Sequence, residues 1–415
     1  MASGQAVSNR SIHVEKRLPS RSEAAVSLEW LINPTTTAAF FEEYWEQKPL
    51  AVRRDRKDYF SSLLCLDDVD HAITGLNLTY PDITLKNAEK DVRPASYTTS
   101  NGTLDVAAVY QLFSKGSTIV LAFLDTIFPT LTALCRGLER ELNFPLQANA
   151  YLTPAGAQGA KYHYDTHDVF VLQIMGSKHW TMYGTPVELP LGNQDFDPSS
   201  HERGIPTMEF TLEPGDFAYI PRGVVHDARS SEELSLHITV GILCYRWADF
   251  LLELVADASL KDPVFRKGLP PGFAREDSGR SRAQEVFGIL LKRMTADSNS
   301  ALILDRFADQ WVSACAPLLN GQIGQIALLD QLSIESVVGA RNSVVFFIRK
   351  DGSSTSVHAF ARKISFPANA DEPLRFALNQ ARFSVRDLPG DLSDQGKLVL
   401  VRRLIREGLI VVLAV

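Results

Sequence analysis

Cysteine is scarce in this sequence, and its four cysteines are too far apart to form a C-x-x-C pair. That spacing argues against a structural zinc site and against a disulfide framework. The sequence also lacks an apolar stretch long enough to cross a bilayer and a signal-peptide pattern at its start. We therefore expect a protein of the cytoplasm with reduced, mostly buried thiols and no membrane partner.

Positive charge is not in excess either, since the formal net charge is -7 at pH 7. This balance argues against wholesale electrostatic binding to nucleic acid, although it leaves room for a local basic face. The apolar content of 45% and the charged content of 22% are ordinary for a globular protein. A chain of 415 residues is long enough for two or three domains, each with its own core.

The hydrophobic pattern divides the chain into four parts. Residues 1–22 are polar without a period, which predicts a disordered tail. Residues 23–245 contain short alternating segments between turn signals, which favours an antiparallel barrel or sandwich as the catalytic domain. Helical spacing predicts a bundle or a dimer interface for residues 246–322. Residues 323–415 mix strand and helix patterns like a winged-helix-like module, with too little basic charge to indicate DNA binding.

One stretch, residues 162–180, carries the strongest chemical signal. It opens with His163-Tyr164-Asp165 and continues into an apolar segment with the composition of a strand. Side chains two residues apart in a strand point to the same face, so His163 and Asp165 can meet at one point while Tyr164 faces away. His167 is a competing ligand, but its distance of four residues from His163 is wrong for a shared strand face. A lone His-x-Asp remains a weak signal, because many proteins contain one by chance.

A second stretch supplies a third ligand. Residues 215–226 fit the pattern Gly-x5-Pro-x-Gly-x2-His, which resembles the second motif of the cupin superfamily. In this pattern, a turn fixed by Pro221 and Gly223 presents His226. Two imidazoles and one carboxylate make the facial triad of non-haem Fe(II) oxygenases, which leaves three adjacent coordination positions open. The alternative is that these side chains are ordinary polar surface.

An Fe(II) site of this kind needs two electrons from a second molecule to activate dioxygen, and a 2-oxo acid can supply them. The far carboxylate of a dicarboxylic oxo acid needs a cation. Lys178 is the only basic residue between Asp165 and Arg203. A buried lysine is tolerated when it is paired with an anion, so Lys178 is the candidate. The alternative is an exposed lysine in a turn.

Three further side chains are candidates for holding the oxo acid. Thr239 lies on a predicted strand and can add a hydroxyl to the far carboxylate. Asn149 and Tyr151 alternate on the strand before a small-residue loop at 155–159, so they share a face. That face can point at the oxo acid or at oxygen bound to the metal. For all three residues a purely structural role is an equally open alternative.

These motifs resemble the JmjC-type ribosomal oxygenases over most of the chain. The matching segments are 41–50, 149–159, 163–165, 169–173, 178–180 and 221–226. The resemblance implies a mainly β protein with α-helices. Its double-stranded β-helix barrel (the cupin or JmjC fold) would be followed by a helical dimerisation region and a winged-helix-like C-terminal domain. It also implies an Fe(II) site formed by His163, Asp165 and His226. The implied 2-oxoglutarate site consists of Lys178, Thr239, Tyr151 and Asn149.

Members of this family are Fe(II)- and 2-oxoglutarate-dependent dioxygenases that hydroxylate proteins. The resemblance therefore implies hydroxylation of a protein side chain, at a histidine or arginine of a ribosomal protein, by a homodimer. Demethylation is a variant that requires only that the hydroxylated carbon be attached to nitrogen. Two alternatives are a hydroxylase of a small metabolite or biosynthetic peptide, and a non-catalytic metal-binding cupin scaffold.

Overall fold

The computed structural model describes residues 27–297, 300–315 and 318–415, so the tail predicted at residues 1–22 lies outside the described residues. The helices are α1 (Leu28–Ile32), α2 (Thr37–Glu43), α3 (Leu66–Gly75), α4 (Val106–Ser114), α5 (Pro129–Leu142), α6 (Trp247–Lys261), α7 (Asp277–Asp297), α8 (Ser300–Ala314), α9 (Gln322–Ala327), α10 (Asp371–Asn379) and α11 (Asp394–Arg406). Within the described residues, no helix is both long enough and apolar enough to cross a membrane.

The strands alternate with these helices in the first and last parts of the chain. They are β1 (Leu50–Val52), β2 (Ile83–Lys86), β3 (Thr118–Leu121), β4 (Leu146–Thr153), β5 (Asp168–Met175), β6 (Lys178–Met182), β7 (Met208–Leu212), β8 (Phe217–Ile220), β9 (His226–Ser230), β10 (Ser235–Ile242), β11 (Val337–Ala340), β12 (Phe347–Asp351), β13 (Ser354–Ala359), β14 (Arg362–Pro367), β15 (Phe383–Ser384) and β16 (Ile410–Ala414). All of their described pairings are antiparallel.

Two sheets form the barrel of the first part. The larger sheet has seven strands in the order β1-β8-β5-β10-β4-β3-β2, and the smaller sheet has the order β7-β6-β9. Apolar side chains of the larger sheet, such as Val169 and Val171, meet Trp180 and Phe210 of the smaller sheet in one buried cluster. The predicted antiparallel architecture with mixed helices and strands is therefore confirmed.

The larger sheet is buried on both faces, which explains why its strands are almost continuously apolar. Along β5, Phe170 and Leu172 face a large core that also contains Leu134 and Leu138 of α5. Val169 and Val171 point the other way, into the barrel. This alternation follows from the two-residue period of a strand. Polar residues at barrel-facing positions therefore point into the same barrel interior.

The last part of the chain has a core of its own. It contains the three-stranded sheets β15-β11-β16 and β12-β13-β14 together with α10 and α11. Leu374, Val401, Leu404 and Ile410 are among its fully buried side chains. In sequence order, helices α6, α7 and α8 come after the barrel strands and before the residues of this core.

Candidate metal and co-substrate site

The barrel brings His163, Asp165 and His226 together. The distance from His163 Nε2 to Asp165 Oδ1 is 3.9 Å, and that from His226 Nε2 to Asp165 Oδ2 is 3.8 Å. One ligand atom from each residue lies within 4.8 Å of the other two. The cause is a backbone bridge, in which His163 N donates to His226 O at 3.0 Å and His226 N donates to His163 O at 2.8 Å.

Backbone carbonyls fix the orientation of both imidazole rings. His163 Nδ1 lies 2.8 Å from Lys161 O, and His226 Nδ1 lies 3.0 Å from Val224 O. Because a carbonyl oxygen only accepts hydrogen bonds, each Nδ1 carries the proton and each Nε2 keeps a free lone pair. Both lone pairs lie on the Asp165 side, which is the arrangement that a metal ligand requires.

The electrostatics agree with this assignment of protons. Burial, reinforced by the neighbouring His163, lowers the pKa of His226 to about 4, so the ring is neutral at pH 7. Burial opposes ionisation of Asp165, but the adjacent imidazoles of His226 and His163 outweigh it and hold the pKa of its carboxyl below the usual value. Two imidazoles and one carboxylate form a donor set that fits a divalent transition metal.

A cavity of about 160 Å³ opens beside these three residues. Its apolar lining residues are Val169, Val171, Trp180, Ile220 and Ala228. Its polar lining residues, besides the three ligands, include Lys86, Thr118, Tyr151, Lys178, His237 and Thr239. Concave sites with apolar walls and a few convergent polar groups are typical of small-molecule binding.

Lys178 is a buried cation without an anionic partner in this cavity. Its ammonium lies 3.3 Å from Thr153 Oγ1 and 5.9 Å from the centre of the Trp180 ring, and no described carboxylate forms an ion pair with it. Burial lowers the pKa of Lys178 to about 7. The structure thus excludes the exposed turn lysine. An unpaired buried ammonium is expensive, so the cavity favours a ligand that brings a carboxylate.

Strand pairing decides which of the other predicted residues reach the cavity. β4 and β10 align Tyr151 with His237 and Asn149 with Thr239. Tyr151 and Thr239 line the cavity, and burial raises the pKa of Tyr151 to about 12, so its hydroxyl stays protonated. Asn149 does not line it, because its Oδ1 accepts hydrogen bonds from Phe123 N at 3.2 Å and Gln147 Nε2 at 2.9 Å.

His237 lines the cavity, although the sequence reasoning did not select it. Its ring stacks on Tyr151 with centroids 4.9 Å apart and meets Trp180 edge-on at 5.7 Å. Its Nδ1 is buried and has no hydrogen-bond partner among the described residues. Burial and the nearby Lys178 put the pKa of His237 well below the usual range. The signal that could have found it is its position two residues before Thr239 on the same strand.

The small-residue loop before the ligands closes the cavity at one side. A Cβ atom on Gly159 would lie 2.6 Å from Thr118 Oγ1, so only glycine permits this approach to β3. Lys86, at the end of β2, lines the same opening. His167, the competing ligand, is not part of the converging group, and its ring lies against Gly241 instead.

An ion-pair network anchors the turn that presents His226. Arg222 Nη1 lies 2.6 Å from Asp168 Oδ2, and Arg222 Nη2 lies 2.6 Å from Glu46 Oε1. Tyr219 OH also donates to Asp168, at 2.7 Å. Glu46, Asp168 and Cys244 converge like a second metal site, but the Arg222 guanidinium already forms ion pairs with both carboxylates. This cluster is therefore structural and ties the turn to the start of β5.

A family model described as "JmjC domain" matches residues 127–250, a range that includes all three converging residues. Residues 127–250 of this chain are therefore similar to a JmjC domain. The chain is 34% identical over 282 residues to "Ribosomal oxygenase 2" of Bos taurus, covering 65% of this chain and 59% of that protein. It is 30% identical to "Bifunctional lysine-specific demethylase and histidyl-hydroxylase NO66" of Drosophila mojavensis, covering 62% and 30% respectively. The predicted resemblance to the JmjC-type ribosomal oxygenases is confirmed.

A solved structure shows the same fold along nearly the whole chain. "YcfD a Ribosomal oxygenase from Escherichia coli in complex with Cobalt and 2-oxoglutarate" superposes with a TM-score of 0.52 at 15% identity, covering 92% of this chain and 99% of that one. At that identity, the likeness shows the fold alone. The chain spans only about three-fifths of the length of the first curated relative and under a third of the second.

Proposed function

We propose that this protein is an Fe(II)- and 2-oxoglutarate-dependent dioxygenase that hydroxylates a protein side chain. The observation that carries the proposal is the pairing of two features in one cavity. His163, Asp165 and His226 converge with both Nε2 lone pairs available, and the unpaired ammonium of Lys178 lies in the same cavity. A structural ion pair does not explain the buried Lys178, because no acidic side chain among the described residues pairs with it.

In this proposal, His163, Asp165 and His226 hold Fe(II), and Lys178 with Thr239 binds the far carboxylate of 2-oxoglutarate. Tyr151 lies beside Thr239 as a neutral hydroxyl donor, because its pKa is raised to about 12. Asn149 remains a prediction for a position nearer the metal. Iron bound together with the oxo acid would supply the oxidising chemistry.

The chain's own residues order and shield that chemistry. Carbonyl contacts at Nδ1 keep the rings of His163 and His226 from rotating. Apolar lining residues such as Val171 and Trp180 limit water near the reacting atoms and so protect the protein from misdirected oxidation. Lys178 gives the oxo acid a single orientation, because a charged bond in a dry cavity is strong and directional.

A side chain of a ribosomal protein, histidine or arginine, is the proposed target. Similarity to proteins named ribosomal oxygenase and histidyl-hydroxylase supports it. Mass spectrometry of ribosomal proteins from a deletion strain tests it, since loss of a hydroxyl-sized mass from one peptide is expected. Unchanged ribosomal proteins would favour a small-metabolite or biosynthetic-peptide substrate instead.

Purified protein tests the chemistry separately from the target. Turnover of 2-oxoglutarate with iron should be lost in His163→Ala while circular dichroism and the unfolding midpoint stay near those of the unaltered chain. Thr211→Ala on the smaller sheet is a matched control outside the cavity. Turnover that survives in His163→Ala would contradict the proposal, and absent metal binding in the unaltered chain would favour a non-catalytic scaffold.

We further propose the finer domain assignment of 23–245 as the catalytic domain, 246–322 as a helical dimerisation region and 323–415 as a winged-helix-like domain. Helix α6 and the segment after it expose large apolar side chains: Trp247 is 79% exposed, Leu252 69% and Leu260 75%. Such a surface suits a second copy of the chain. Leu252→Lys should shift sedimentation from dimer to monomer, and a monomer in both forms would refute the homodimer. A cytoplasmic location is part of the same proposal.

A further inference from the structure

The β6–β7 loop, residues 183–207, lies behind the candidate metal ligands. Tyr164 lies between His163 and Asp165, and its side chain packs with Tyr183 and Val225 instead of lining the cavity. Asp227 follows His226 in β9 and also points away, whereas Ala228 lines the cavity. Both of these backward-facing side chains are nearly buried and make their polar contacts with the β6–β7 loop.

Tyr164 anchors the first ligand segment to this loop. Its hydroxyl donates to Gln194 O at 2.9 Å, and its ring meets Phe196 edge-on with centroids 5.2 Å apart. Tyr162, one residue before His163, meets the other side of Phe196 at 5.7 Å. The two aromatic contacts and the hydrogen bond together fix how far the segment can rotate about its own axis.

Asp227 anchors the second ligand segment to the same loop. Its carboxylate accepts from Arg203 Nη2 at 2.7 Å and from Tyr183 OH at 3.1 Å. Arg203 Nε also donates to Tyr183 OH at 2.5 Å, so the three groups form a closed set. Tyr183 N in turn donates to Val225 O at 2.7 Å, next to His226.

The loop also approaches the turn before His226. Gly223 has a φ of +88°, and a Cβ atom there would lie 2.4 Å from Val187 O. Gly223 N donates to Asp165 O at 3.0 Å, which joins the turn directly to a candidate ligand. One loop thus contacts the turn and both ligand segments from the side opposite the cavity.

We propose that the β6–β7 loop is a brace that sets the metal-binding geometry, with Tyr164, Asp227 and Arg203 as its positioning residues. The inference rests on the proposed metal site, and it assigns a role to residues that touch neither metal nor oxo acid. Convergence of the ligands depends on the relative placement of two chain segments. The brace restricts the motion of both segments. Variants that remove its contacts should therefore lower metal affinity more than they lower the stability of the fold.

Metal affinity and ligand-field spectra of the full chain test this role. Mn(II) titration followed by electron paramagnetic resonance should show a dissociation constant raised about tenfold in Tyr164→Phe and in Arg203→Gln, the size usual for outer partners of a ligand. The visible spectrum of bound Co(II) should shift in both variants. Ser199→Ala is the matched control, since its side chain bonds only Asp197 within the loop.

Thermal unfolding of the metal-free proteins separates positioning from a merely structural role. A lower unfolding temperature with unchanged Mn(II) affinity and Co(II) spectrum would overturn the brace. Should Tyr164→Phe fail to fold, Arg203→Gln decides, because the Arg203 side chain is 55% exposed and tolerates replacement. Failure of the unaltered chain to bind Mn(II) would instead overturn the proposed function.

Discussion

Replacing Lys178 with methionine should make the ligand-free protein more stable while abolishing its binding of 2-oxoglutarate. The amine has a pKa of 10.5 in the unfolded chain and of about 7 in the folded one, because it is buried without a carboxylate. At 1.36 kcal/mol per pH unit, the protonated amine costs about 5 kcal/mol on folding. At pH 7, half of the folded molecules have released the proton, which reduces the penalty to about 4 kcal/mol.

The sign of the pH dependence follows from the same pKa values. A lysine whose pKa is lowered by folding destabilises the folded state. The penalty is fully present below pH 7, shrinks as the pH rises from 7 to 10.5, and vanishes above that range. Methionine has a similar length and no charge, and the Thr153 hydroxyl left behind still pairs with Thr118 Oγ1 at 3.1 Å. The stability gain in Lys178→Met should therefore be largest at or below pH 7 and small at pH 9.5.

Urea unfolding of both proteins between pH 6 and pH 9.5 measures this gain. Adding 2-oxoglutarate with Mn(II) should stabilise the unaltered chain and leave Lys178→Met unchanged, because a bound carboxylate restores the charged amine only where there is an amine. Lys178→Met that is less stable than the unaltered chain at pH 7, or a difference independent of pH, would refute the reasoning. Either result would show that the Lys178 ammonium already has a favourable partner in the ligand-free protein.

Three further outcomes are expected. Asp165→Asn should weaken Mn(II) binding in a titration by more than about 100-fold, beyond the effect of an outer partner, because it removes the only anionic ligand; binding within tenfold would contradict that role. Arg222→Met should lower the free energy of unfolding by about 3–5 kcal/mol in urea, since Asp168 would stay buried without its cation, and a neutral effect would show that the pair is dispensable. Gly223→Ala should lower the free energy of unfolding by about 1–3 kcal/mol and weaken Mn(II) binding, because alanine at that positive φ meets Val187 O. Unaltered stability would mean that the loop moves to accommodate the added methyl group.

Local patterns carried much of the prediction of the site. Strand alternation predicted that His163 and Asp165 would face the same point. In the structure both residues precede β5, and the backbone bridge from His163 to His226 holds their segment in place. The turn at Pro221 and Gly223 could be read from its residues, since each has a narrow range of backbone dihedrals. Lys178 was found by elimination along a short segment.

Pairing between distant strands decided the rest. The sequence does not say that β10 aligns His237 with Tyr151, so a buried imidazole in the cavity went unnoticed. Asn149 shares the face of Tyr151 but is engaged by Phe123, a contact that depends on the neighbouring segment rather than on alternation. The sequence also does not say that the β6–β7 loop lies behind both ligand segments, where Gln194 and Arg203 contact Tyr164 and Asp227.

The sequence by itself determined which donor side chains are present and that the turn at Pro221 and Gly223 precedes His226, because turn dihedrals act over a few residues. Only the tertiary structure decided that His226 approaches Asp165 and that no acidic side chain among the described residues pairs with the Lys178 ammonium. Those two facts depend on which distant segments the barrel places side by side, through the backbone bridge from His163 to His226 and the closure of two sheets over one cavity.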